Sequence, residues 1–173
     1  MDEVRYPIGP FELVKDVSPE QRKAWIQDLA DAPVKLHSAV VGLSAEQLDT
    51  PYRTGGWTVR QIVHHLAEND MLAYARFKFG LTEEAPQIRP ASENLWAELP
   101  DRDVSVDDSL DLYRLVHKRW VTLLEGLTAA DFDRTYVHPV SGVWKLDQAI
   151  GLYSWHDRHH TAQITSFRKR MGW

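Results

Sequence analysis

The chain has no cysteine among its 173 residues. That excludes disulfides and thiolate-based zinc sites, and any sulfur nucleophile must arrive on a substrate or cofactor. Long apolar runs are also missing, so no segment is expected to cross a membrane. The opening residues, MDEVRYPIGPFE, are acidic and interrupted by Pro7 and Pro10. They do not resemble a secretory leader, and the expected location is cytoplasmic. Positive charge is in short supply: 20 Lys and Arg stand against 25 Asp and Glu, for a net charge of −5. Binding to nucleic acid, which wants a basic surface, is not expected. The one basic cluster, Arg168-Lys169-Arg170, suits the C-terminal end of a helix dipole. No segment carries a convincing strand pattern, and there are no repeats or low-complexity tracts.

What is present favours helices. A 43% hydrophobic content can fill a core, and the length points to one domain. An arm to about Val17 precedes Ser18-Pro19-Glu20-Gln21, which combines an N-cap, a proline at the first helical position and a Gln able to close a capping box. That helix is expected to run to about Gly42, kinked or broken at Pro33. Thr58 caps a second helix from Val59 to about Gly80. A Pro- and Glu-rich loop follows, from about Thr82 to Val104. Ser105, with Asp107 and Asp108 behind it, starts a third helix to about Gly126. A loop with His138, Pro139 and Gly142 leads to a last helix from about Leu146 to Met171. Four long helices predict an all-α four-helix bundle, with connections too long to guarantee up-down-up-down order.

Eight histidines remain to be placed. At about 100° per residue, Leu146, Ala149, Ile150, Tyr153, Ile164, Phe167 and Met171 form one stripe of the last helix. His156 and His160 fall inside it, one turn apart, whereas His159 falls outside. Two imidazoles in an apolar stripe are costly unless their nitrogens find partners, and a metal is one such partner. On the second helix Ile62, Leu66, Ala73 and Phe77 mark the buried face. His65 lies at its edge, while His64 points nearly opposite, toward solvent or an interface. Asn69 lies one turn beyond His65, placed to support a ligand. His37 and His117 read as ordinary helix-face residues, and His138 as a loop residue near the bundle mouth. The predicted ligands are therefore His65, His156 and His160, leaving one side of the ion open as catalytic sites do. The Glu of the familiar helical zinc pair is absent from His156-Asp157-Arg158-His159-His160, so a metalloprotease is rejected. Arg60 and Arg158 read as salt-bridge formers. Trp57, Trp144 and Trp155 read mainly as packing, with Trp155, off the stripe, at a dimer contact.

The segment Gly55-Gly56-Trp57-Thr58-Val59-Arg60-Gln61-Ile62-Val63-His64-His65-Leu66-Ala67 resembles the second-helix motif of the DinB/YfiT-like superfamily. Trp155-His156-Asp157-Arg158-His159-His160-Thr161-Ala162-Gln163-Ile164 resembles its C-terminal metal-binding helix. Tyr6-Pro7-Ile8-Gly9 and Tyr74-Ala75-Arg76-Phe77-Lys78 resemble the YfiT branch. The resemblance implies a four-helix bundle with a three-histidine divalent metal site, mapped by position to His65, His156 and His160, and often a homodimer. It implies a metal-dependent hydrolase or an enzyme working with low-molecular-weight thiols such as bacillithiol or mycothiol.

The ion expected by default is zinc, with nickel or another divalent ion also accepted by imidazole. It would activate either water, for hydrolysis, or a thiol, for transfer to a small electrophile. The leading expectation is S-transfer with a bacillithiol-type cosubstrate, because cysteine is absent and no protein general base is evident beside the ligands. A hydrolase is the runner-up, and a non-enzymatic metal-binding stress protein is the third reading. A cavity beside the metal would favour an enzyme, and a sealed site with four protein ligands the scaffold.

Overall fold

The computed structural model describes residues 3–173. Four long helices dominate: α1 (Pro19–Val40), α3 (Val59–Thr82), α5 (Val106–Glu125) and α7 (Leu146–Met171). Short helices α2 (Ala45–Leu48), α4 (Glu93–Trp96) and α6 (Ala129–Phe132) and a 3₁₀ turn (Pro100–Asp103) sit in the connections. No helix among the described residues is long and apolar enough to cross a membrane.

The helix starts follow from local chemistry. Ser18 Oγ accepts from the Gln21 backbone N–H, with Pro19 behind it. Thr58 and Gln61 close a capping box in both directions, at 3.1 and 3.0 Å. Ser105 accepts from Asp107. Gly172, at φ +73°, takes the left-handed conformation that ends α7.

The order around the bundle differs from the order along the chain. α1 packs on α5 and α7, and α3 packs on α5 and α7. α1 and α3 are therefore diagonal, as are α5 and α7. The long connections make this possible, and the consequence is that α3 lies directly against α7.

Two features depart from expectation. A β-hairpin precedes α7, with β1 (Thr135–His138) antiparallel to β2 (Gly142–Lys145) and Tyr136 opposite Trp144. Its strands are four residues long, too short to leave a periodic signature. And α1 runs without a break through Pro33. Proline leaves the Leu29 carbonyl, four residues back, without its helical donor. His117 of α5 supplies the donor instead, its Nδ1 lying 2.6 Å from the Leu29 oxygen.

The core falls into two clusters. Leu36, Val59, Ile62, Leu66, Tyr113 and Ile164 fill one end of the bundle. Leu29, Phe77, Trp120, Leu146, Ile150 and Tyr153 fill the other.

Candidate metal centre

The capping box at Thr58 sets the phase of α3, and its second turn carries His65 toward α7. His65 Nε2 lies 3.1 Å from His156 Nε2. His160 completes the group: each of the three rings offers a nitrogen within 4.8 Å of the others. Two nitrogens on a tetrahedral zinc at about 2.05 Å would stand about 3.3 Å apart, so this spacing fits one ion.

Further contacts orient the rings. His160 Nδ1 donates to Gln163 Oε1 at 2.8 Å, which leaves its Nε2 as the free lone pair. Gln163 is itself held, its amide donating to the Arg5 carbonyl at 2.9 Å and the Tyr52 hydroxyl at 3.1 Å. Asn69 Nδ2 sits 3.4 Å from His156 Nδ1. The Trp57 ring covers the cluster, 4.6 Å from His65 and stacked on His160 at 6.1 Å.

Burial, and then the neighbouring His156, holds the His65 ring well below the usual histidine range. Burial and the other histidines do the same to His160. Burial lowers His156 too, against the pull of Asp70. All three are thus kept neutral near pH 7, the form in which imidazole binds metals.

A second group within reach of an ion, Asp70, His156 and Asp157, lies behind the first. Its donors are worse. Burial, reinforced by Asp70, holds the Asp157 carboxyl well above the ordinary carboxylate range, which disfavours the ionised form that binds a metal. Asp70 accepts from His117 Nε2 at 2.6 Å and from Asn69 at 3.1 Å. The three-histidine group is the one with free lone pairs.

A cavity of about 430 Å³ opens over the cluster, lined by His156, His160, Trp57, Arg53 and Gln163 among others. Its rim carries Glu93 of α4, a carboxylate that the sequence hid in the Pro- and Glu-rich loop. No general base is evident beside the ligands in the sequence; Glu93 is a carboxylate on the wall of the cavity that His156 and His160 line.

Three expectations are corrected. His64 is buried, not solvated: its Nε2 donates to the Arg102 carbonyl and its Nδ1 accepts from the Ser109 hydroxyl at 2.7 Å, because α5 and the 3₁₀ turn cover that side of α3. His117 is no ordinary face residue but a buried link between α1 and α3. His159 is buried as well, stacked 4.6 Å from Trp155, and its pKa is lowered to about 4 by burial and then His156. Trp155, read as a dimer contact, is half-buried, its Nε1 donating to the Gly9 carbonyl and its ring against Phe11 of the arm of its own chain. Arg60 and Arg158 form ion pairs with Asp49 and Asp28, as their positions suggested. His37 is an exposed helix residue, and His138 lies beside His156 on a smaller cavity.

The model of the DinB superfamily matches residues 28–164. The chain belongs to the DinB superfamily. Within it, this member is 51% identical over its full length to a protein of Bacillus cereus (strain 03BB102) named "Putative metal-dependent hydrolase", and covers all of that protein. The same identity and coverage hold for a relative of that name from Bacillus thuringiensis subsp. konkukian. Among solved structures it superposes on YfiT from Bacillus subtilis with a TM-score of 0.96 at 48% identity, covering 99% of both chains. That protein is described as "a probable metal-dependent hydrolase with an unusual four-helix bundle topology". The diagonal placement of successive helices is how this DinB member departs from an up-and-down bundle.

Proposed function

We propose that this chain is a metal-dependent enzyme in which His65, His156 and His160 hold one divalent ion, zinc by default or nickel. We further propose that it transfers a low-molecular-weight thiol of the bacillithiol type to a small electrophile. The observation that carries this reading is the convergence of three neutral imidazoles beside a cavity large enough for a small molecule, in a chain without cysteine. A divalent ion bound there supplies the Lewis acidity that lowers the pKa of a thiol or of water.

The chain's own residues then have distinct tasks. Gln163 holds the His160 tautomer, and Trp57 shields one side of the cluster from water. Arg53, bonded to the Tyr52 hydroxyl and the Thr54 carbonyl, brings positive charge to the cavity wall without a carboxylate partner among the described residues. That charge suits an anionic thiol. Metal-loaded protein mixed with a thiol and a model epoxide or Michael acceptor should give turnover that depends on the thiol. Turnover unchanged when the thiol is omitted would reject transfer.

Hydrolysis is the second reading. It is favoured by the names of the relatives and by Glu93 at the cavity rim, where a carboxylate can take a proton from an attacking water. The cavity speaks against the scaffold reading. A homodimer is also proposed, on the family resemblance; a monomer at micromolar concentration in sedimentation equilibrium would overturn it.

A further inference from the structure

A second cavity, of about 220 Å³, lies beneath the β-hairpin and shares His156 and Glu93 with the first. Its wall includes Arg76 of α3, Tyr136 and His138 of β1, and Tyr153 of α7. The Arg76 guanidinium is set in place by two contacts, Nη1 donating to the Tyr153 hydroxyl at 3.0 Å and Nη2 to the Arg89 carbonyl at 3.1 Å. Its Nε is buried and has no hydrogen-bond partner among the described residues. No carboxylate of the described chain pairs with it; the nearest acidic group on the cavity wall, Glu93, stays outside ion-pair distance and is exposed. His138 adds a donor. Its Nδ1 accepts from the backbone N–H groups of Val140 and Ser141, so the ring proton is on Nε2.

We propose that this smaller cavity is a subsite for the carboxylate of a small substrate, with Arg76 as its anchor and the reacting atom of the same molecule directed to His156 and the ion. A pre-oriented guanidinium with unused N–H groups matches the planar geometry of a carboxylate. One cation facing one exposed Glu93 suits a monoanionic carboxylate better than a phosphate dianion, which would call for further positive charge. With roughly 30 Å³ per water-sized group, the space takes a fragment of about seven non-hydrogen atoms. The inference rests on the metal-enzyme reading above and narrows it: the substrate entering under the hairpin carries a carboxylate a few bonds from its reactive centre. Arg76 is then a specificity-determining residue.

The test uses the full chain reconstituted with Co(II), whose visible spectrum reports anions reaching the ion. Succinate, with one carboxylate for the ion and a second for Arg76, is expected to bind about tenfold more tightly than acetate, which has only one. Arg76→Gln should abolish that preference and leave acetate affinity and cobalt content unchanged, while Arg76→Lys should keep part of it. Equal affinities in the wild-type protein, or an undiminished preference in Arg76→Gln, would overturn the proposal. A second arm needs neither metal nor variant. In the metal-free wild-type protein, tens of millimolar succinate should protect Arg76 from phenylglyoxal, read by peptide mass spectrometry. Labelling at the same rate with and without succinate would also overturn it. Loss of cobalt binding with intact protection would instead count against the metal reading alone.

Discussion

His117 donates from Nδ1 to the carbonyl of Leu29 at 2.6 Å, taking the bond that Pro33 denies to its own helix. Its other nitrogen donates to Asp70 Oδ2, also at 2.6 Å. With both nitrogens donating, the ring is an imidazolium facing a carboxylate. Burial works against that charge, but the hydrogen bond and charge of Asp70 outweigh it and raise the His117 pKa. The ion pair ties α1, α5 and α3 together behind the histidine cluster, and Asp70 passes the constraint to Asn69 beside His156.

Replacing His117 by Leu leaves Asp70 and the Leu29 carbonyl buried without their donor. The expected loss is about 3–5 kcal/mol of unfolding free energy, read by urea denaturation. A change within about 0.5 kcal/mol would show that the pair is not formed in solution.

The same residue sets a pH dependence. Because its folded pKa is raised, its contribution is fully present below the unfolded value of about 6.5 and is lost as pH climbs through the raised value. The stability of metal-free wild-type protein relative to His117→Gln should therefore shrink as pH rises above about 6.5. The neutral ligand histidines are common to both proteins and cancel in the difference. A difference that grows with pH would contradict the imidazolium assignment.

Gln163 acts through His160. Gln163→Ala should weaken zinc binding by about 10–100-fold in competition with a chromophoric chelator. Gln163→Glu, which keeps an acceptor, should retain most of the affinity. Equal affinity in all three proteins would remove Gln163 from the site.

The doubled histidine of α3 separates into two roles. His65→Ala should bring metal content far below one ion per chain. His64→Ala should keep the metal but lose about 1–3 kcal/mol, since the Arg102 carbonyl and Ser109 hydroxyl lose their partner. Metal loss in His64→Ala with retention in His65→Ala would reverse the assignment.

Gly151 lets α7 approach α1. A Cβ there would stand 2.8–3.0 Å from three atoms of the Trp25 ring, a flat group with no flexible end to yield. Gly151→Ala should cost about 1–3 kcal/mol by overpacking, visible as a lowered melting temperature. A rise in melting temperature would mean that the two helices are not in this close contact.

The residues by themselves determined the helices and most of the inward face of α7, although Met171, placed on that face, is exposed and His159, placed off it, is buried. Caps at Ser18, Thr58 and Ser105 and an apolar period near 3.6 are local properties, and the helices begin within a residue of where those signals stand. The pairing of His156 with His160 is equally local, a matter of one helical turn. What only the tertiary structure decided is which helix stands opposite. The diagonal order of α1 and α3 brings His65 to α7, buries His64 under α5, and turns His117 toward a carbonyl freed by a proline on another helix. The hairpin that sets Tyr136 and His138 beside Arg76 exists through cross-strand pairing, with no periodic run of its own to announce it. Local signals report what a residue does to its own backbone. Burial of a polar side chain depends on where a partner far along the chain comes to rest, and that is set by the packing of the whole bundle.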